Sequence, residues 1–305
     1  MFGIKQLFIS AYTLLALTAC SSENGGDSPI PSPNPSEKLP ISISTSLTSR
    51  ATDDTFETGD NIGIFVVNRN ADGFAVSLKT TGNYIDNRKY TYQGTWTTAV
   101  PTYWKDNTTH ADFYLYYPYT STIADIETMP WSVKTDQSYL SYYKASDLLM
   151  GKTLNVAPSE AAVKIDAKHI MSQMVITLVP GNGFTSSSLA AANISVKVNQ
   201  LKTAATINLA TTEVITTGKE ADIIPLKEDT HYKALIIPQT VNDGNLITVN
   251  VDGKDFHLQK SSNFQAFAPG KRYNFTVSLS KTSNGVNVNI TKWEDDGIDY
   301  GGTAE

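Results

Sequence analysis

The chain has 305 residues, 40% hydrophobic and 18% charged, with 24 Lys and Arg against 30 Asp and Glu, for a formal net charge of -6. A mildly acidic chain without a basic block is a poor match for nucleic acid or for an anionic lipid surface. Its single cysteine, Cys20, excludes a disulfide framework within the chain.

Residues 1–19 have the three parts of an export signal: a short start with Lys5, an apolar run from Leu7 to Leu17, and small residues before Cys20. The run is shorter than the roughly 20 apolar residues that a membrane-spanning helix needs. "LTAC" (17–20) resembles the lipobox of bacterial lipoproteins. The resemblance implies cleavage before Cys20 and acylation of that residue, and several acyl chains exceed the marginal hold of one. The plainer alternative is a secretory signal with a chance cysteine. Residues 20–40 are dominated by Ser, Gly, Pro, Asn and acidic side chains, with Ile30 the only large apolar residue before Leu39. Such a segment buries no core and is expected to be a disordered tether, lipidated at its first residue.

The first strand signal is "ISISTSL" (41–47), in which Ile41, Ile43, Thr45 and Leu47 alternate with serines. Burying Ile41, Ile43 and Leu47 at about 1.5–3 kcal/mol each would be worth about 5–9 kcal/mol together. A basic residue, Arg50, opens the acidic loop behind it. Strand signals continue at 61–68, 74–79, 89–96 and 112–119, and then at 173–181, 193–199 and 205–211. The last of them fall at 232–239, 246–251, 272–279 and 286–293. Turn residues separate them at 71–73, 180–183, 242–244, 251–254 and 283–285. Helical pattern is confined to 145–151 and 186–193. Residues 151–166 read as polar and irregular, which places a domain division near Asp166. The expectation is an all-β chain with two β-sandwich domains, 41–165 and 166–305.

No motif for chemistry is complete. "GKT" (151–153) lacks the glycine cradle of a phosphate loop, Ser146 standing where the first glycine belongs. "NRNADG" (68–73) starts like a calcium loop, but Asn68 opens it and Lys79 occupies the position of the bidentate Glu. His110, His169, His231 and His257 never stand at metal-ligand spacing. No nucleophile elbow is present, and "KWEDDGID" (292–299) reads as a solvated charged turn. No catalytic residue, metal or cofactor is expected. Tyrosine is abundant, at 15 residues, and concentrated between 89 and 119. Those rings fit a sandwich core and its sheet faces; the alternative is a glycan-binding face on a permanently lipid-anchored surface protein.

Taken in order, the lipobox Cys20, "TSRATDDTFETGDNIGIFV" (48–66), "TYWKDNTTHADFYLYYPY" (102–119), "HIMSQMVITL" (169–178), "ALIIPQT" (234–240), "FAPGKRYNFTVSL" (267–279) and "VNVNITKWEDD" (286–296) resemble the fimbrillin-like lipoproteins of Bacteroidales, the FimA/Mfa-type subunits of type V pili. The resemblance implies two transthyretin-like sandwich domains and a place at the cell surface, on the outer membrane or in a fimbrium. It also implies cleavage by an arginine-directed protease, which falls here at Arg50–Ala51 and removes the strand of Ile41, Ile43, Thr45 and Leu47. A C-terminal segment of a neighbouring subunit then fills the vacated groove. "GVNVNITKW" offers Val286, Val288 and Ile290 as the donor face. Groove and donor are different surfaces, so contacts run head to tail and build an open filament. The implied partners are other fimbrial subunits, the outer membrane through the lipid, and a ligand on a host or bacterial surface. The tail after Trp293 is short and acidic without another clear apolar strand, which equally suits a tip, accessory or terminating subunit.

Overall fold

The computed structural model describes residues 38–47, 55–281 and 302–304. The first half holds β1 (Ile43–Leu47), β2 (Asn61–Asn68), β3 (Ile85–Tyr92), β4 (Trp96–Thr97), β5 (Ala111–Tyr117), β6 (Met129–Ser132), helix α1 (Leu140–Lys144), β7 (Leu149–Val156) and β8 (Val163–His169). After these come β9 (Ser172–Pro180), helix α2 (Ser186–Ala191), β10 (Ile194–Ile207), β11 (Val214–Ile223), β12 (Leu226–Glu228), β13 (His231–Ile236) and β14 (Gln239–Thr240). The series closes with β15 (Asn245–Val251), β16 (Lys254–Gln259), β17 (Ala266–Phe267), β18 (Arg272–Leu279) and β19 (Gly302–Ala304). The fold is β nearly throughout, as the strand signals require.

One sheet has seven strands in the order β1-β8-β7-β5-β2-β3-β4. A second runs β11-β10-β15-β16, with β6 also paired to β10, and a third runs β12-β13-β9-β18-β19. The short pair β14-β17 stands apart from these three. Both faces of the seven-stranded sheet are covered. Ile62, Ile64, Val66, Phe113 and Leu115 point into one core, while Phe65, Val67, Tyr116 and Met150 belong to a second. This explains why "NIGIFVVN" is apolar without alternation: six of its residues in a row are buried. The second core runs on through Met174, Val198, Ile247 and Phe275. Gly63 makes room in this sheet, since a Cβ there would stand 2.0 Å from Tyr116 Cε1.

Several elements differ from the sequence reading for identifiable reasons. Residues 151–166 are ordered strand for much of their length. In β8, Val163, Ile165 and Ala167 are buried while Lys164, Asp166 and Lys168 face solvent, so Asp166 sits mid-strand. The charged outward residues hide that alternation from a composition-based view. Residues 74–79 form no strand, and Phe74 is 69% exposed. There the Asn70 side chain accepts from the Phe74 amide at 2.8 Å and Asn83 from the Lys79 amide at 3.0 Å, so turn chemistry takes the ladder donors. The two signals at 193–199 and 205–211 merge into β10, whose ladder with β11 shifts register near Gln200, a residue at φ 54°. The helical signal at 145–151 is displaced: α1 ends at Lys144, and 149–151 opens β7. At 186–193 the helix is present, closed by a capping box between Thr185 and Ser188. The acidic tail does carry a strand, β19, laid parallel along β18.

Candidate functional site

The candidate site is the seat of the first strand. β1 lies at one edge of the seven-stranded sheet and pairs in parallel with β8 alone, Ile43 opposite Val163, Thr45 opposite Ile165 and Leu47 opposite Ala167. The Val163 amide donates to Ser42 O at 2.8 Å at the start of this ladder. On the other side, residues 39–41 are clasped by 102–104. The Ile41 amide donates to Thr102 O and the Trp104 amide to Leu39 O, both at 2.9 Å. Further along, the Trp96 indole donates to Thr45 Oγ1 at 2.9 Å. The strand thus fills a slot walled by β8 on one side and by Trp96 and 102–104 on the other.

The floor of the slot is apolar. Ile41 and Ile43 are 6% and 5% exposed, and they share a core with Ile62, Trp96, Trp104, Phe113 and Ile165. Leu47 packs on that core but is only half-buried. The strand therefore presses hardest at its N-terminal end and is thinner where the chain runs on toward Arg50. Beside Leu47 a cavity of about 210 Å³ is lined by Phe56, Asp60, Tyr117, Lys144 and Asp147 among others. Phe56 meets Trp96 and Tyr117 edge-on at 4.9 and 5.6 Å between ring centres. Burial, followed by the neighbouring Asp60, holds the Tyr117 hydroxyl far above its usual range. At the rim, Ser46 donates its hydroxyl to Asp166 on β8. That bond keeps the Asp166 carboxyl below the ordinary carboxylate value of 3.8.

Of the residues singled out by sequence, Ile41, Ile43, Thr45 and Leu47 come together on this seat. Cys20, Arg50, Ala51, Val286, Val288 and Ile290 lie outside the described residues. The partners of the strand, above all β8, Trp96, Thr102 and Trp104, were not legible as a unit, because they are contributed from three separate stretches of chain. The one available signal was the period-two pattern Val163, Ile165, Ala167. In the tyrosine-rich stretch, Tyr90 and Tyr116 are buried, Tyr92, Tyr114, Tyr117 and Tyr119 are half-buried, and Tyr103 is exposed. Burial pushes the Tyr116 hydroxyl up to about 12. Residues 68–73 form a turn in which the Gly73 amide returns to Asn70 O at 2.9 Å. Arg69 there reaches the buried Asp112 carboxylate at 2.8 Å.

The fold is all-β, with an edge strand near the front of the described residues seated in an apolar slot. Comparison makes the assignment specific. The profile of the fimbrillin-like family matches residues 49–293, and the chain belongs to that family. It is 30% identical over 312 residues to a candidate fimbrium subunit, Fim1C of Bacteroides uniformis, with 95% of each chain covered. Its fold is similar to the crystal structure of a candidate cell adhesion protein from Bacteroides uniformis, with TM-score 0.63, 25% identity, and 79% of this chain and 93% of the other covered. A second such protein, from Bacteroides ovatus, superposes with TM-score 0.66 at 16% identity, covering 86% of this chain and 98% of the other. The family is one of fimbrial and adhesion proteins, not of enzymes.

Proposed function

We propose that this chain is a structural subunit of a bacterial cell-surface fimbria, as stalk, tip or accessory, that supports adhesion. On this reading it is exported as a lipoprotein acylated at Cys20 and held at the outer membrane. Cleavage at Arg50–Ala51 then releases the lipid together with the leading strand, and a strand from another subunit takes the vacant seat. The observation that carries the reading is the seating of β1. It is a five-residue strand at a sheet edge, anchored by Ile43 and by Ile41 just before it, at the front of the described chain. Removal of residues 39–47 would bare an apolar trench, the backbone edge of β8 and the backbone groups of Thr102 and Trp104, which favours capture of another strand. A filament follows if Val286, Val288 and Ile290 supply that strand to the next copy, since donor and slot are distinct surfaces. Two sandwich domains, divided near residue 166 within about ten residues, remain part of the proposal, with the division best set after the end of β8.

N-terminal sequencing of the mature surface protein tests it. A start at Ala51 supports the polymer, and an acylated Cys20 as the only mature start supports the permanently anchored alternative. In vitro, limited trypsin treatment should trim the folded chain at Arg50 and yield SDS-resistant high-mass ladders. A trimmed chain that stays monomeric overturns strand exchange.

A further inference from the structure

The other half of the molecule carries a second recess. A groove of about 490 Å³ lies against β10, β15 and β16, with the 241–244 turn at its side. Its base is a network of polar side chains on strands whose alternate residues, Val198, Ile247 and Val249, fill the core. Asn199 and Thr248 are only 8% and 6% exposed. The Asn245 amide satisfies its neighbours when its nitrogen donates to Ile247 O at 2.8 Å and Leu258 O at 3.2 Å. Its oxygen then accepts from Thr248 Oγ1 and His257 Nδ1, each at 2.9 Å, and from Asn199 Nδ2 at 3.1 Å. Asn199 Nδ2 also reaches Thr248 Oγ1 at 2.8 Å.

This network leaves specific vacancies. With its amide nitrogen committed inward, Asn199 has an oxygen that accepts no bond from any other described residue, although the residue is more than nine-tenths buried in the groove lining. In the tautomer that donates from Nδ1 to this Asn245 oxygen, His257 Nε2 is an acceptor, again without a partner among the described residues. Donors stand on the walls. Gln200 Nε2 is held only at 3.3 Å from Asp222, and Asn242 Nδ2 only at 3.3 Å from Glu220. Lys197 pairs with Asp222 at 3.1 Å. Acceptors fixed by a bonded network and open to the groove, faced by loosely engaged donors, suit a ligand whose groups both donate and accept. Hydroxyl groups do this, whereas a guanidinium only donates and would leave the wall donors unanswered. Glu220, Asp222, Asp243 and Asp255 outnumber Lys197 around the groove, which disfavours anions. The volume lies in the range of small-molecule sites.

We infer that this groove is a binding site for a neutral saccharide of about two sugar units, read by Asn199, Gln200, Asn242 and His257. The site is separate from the strand seat and does not depend on polymerisation. Saturation-transfer NMR on the full purified chain, with lactose, maltose and N-acetyllactosamine as probes, tests it against sialyllactose and an arginine amide. At least one neutral disaccharide should bind saturably, and sialyllactose should bind more weakly. His257→Ala and Gln200→Ala, both at exposed positions, should each weaken binding about tenfold while leaving circular dichroism unchanged. Asn199→Leu should abolish binding; if that variant does not fold, the two exposed substitutions decide. No saturable binding by any neutral probe at millimolar concentration, unchanged binding in both exposed variants, preference for sialyllactose, or binding of the arginine amide alone would each overturn the inference.

Discussion

Removing the first strand is the most direct perturbation of the seat. A chain that starts at Ala51 lacks Ile41 and Ile43, which are 6% and 5% exposed, and the half-buried Leu47. Two full isoleucine burials and part of a leucine amount to about 4–7 kcal/mol. This is below the figure expected from sequence, because Leu47 is only half-buried. It is also an upper figure, since an unfolded chain already hides some apolar surface. For a protein of this size about 2–4 °C accompanies each kcal/mol, so the midpoint of thermal unfolding should fall by roughly 10–25 °C. A synthetic peptide of residues 39–47 added at a hundred times its Kd should restore about 2.7 kcal/mol, or roughly 5–10 °C. The same peptide with aspartate in place of both isoleucines should restore nothing. Differential scanning calorimetry of the four samples is sufficient. A truncated chain that melts within about 2 °C of the parent, or one indifferent to the native peptide, would show that the slot has no call for a strand.

Three smaller perturbations follow from other contacts. Gly63→Ala puts a Cβ 2.0 Å from Tyr116 Cε1 in a sheet covered on both faces, and should cost about 1–3 kcal/mol or more in denaturant unfolding; unchanged stability would mean that Tyr116 has another rotamer to adopt. Ser46→Ala removes the first cause of the depressed Asp166 carboxyl. A lowered folded-state value means that Asp166 contributes stability above its unfolded value of 3.8 and loses it as pH falls through the lower folded value. NMR titration should therefore find Asp166 closer to 3.8 in the variant, with less acid sensitivity of β1 exchange protection. Deleting residues 302–305 removes the β19 partner of β18 and should raise the rate of polymer formation by the trimmed chain, read by light scattering. A slower rate would place β19 on the growing side of the interface.

How far the sequence discloses the fold depends on which face of a strand is being read. β18 was legible to the residue because its buried and half-buried positions alternate in "RYNFTVSL". β2 was legible because an unbroken apolar run bounded by turns has few other uses. β8 is hidden from a composition-based reading, although its burial alternates, because Lys164, Asp166 and Lys168 give it the composition of a loop. The seat suffers from a different limit. A strand pattern shows that Ile41 and Ile43 want cover, but nothing local says that the cover comes from residues 96, 102–104 and 163–167. The saccharide groove was invisible for a related reason. Asn199 reads as a polar strand residue, and only the neighbouring strands bury it in the lining of the groove.

The position of β19 bears on where such a subunit could stand in a filament. β18 pairs with β9 on one edge and with β19 on the other, with Val277 opposite Gly302 and Leu279 opposite Ala304. The 22 residues between these two strands, 280–301, include in sequence the proposed donor face of Val286, Val288 and Ile290. A free tail of about 22 residues could reach ~75 Å, whereas one that must come back reaches about half as far and cannot thread a neighbour's slot by its end. Donation in trans thus requires β19 to let go. Only three residues are paired, so the restraint is of the order of 2–3 kcal/mol at about 1 kcal/mol per ladder bond. That is less than the 4–7 kcal/mol of apolar burial estimated for an emptied slot, so a vacant neighbour could draw the tail out, while an isolated subunit would keep it. On the proposed reading, cleavage would control growth at the receiving end, and this short parallel pairing growth at the giving end. A subunit with both devices can join a filament and still hold its own C-terminal strand until an acceptor arrives.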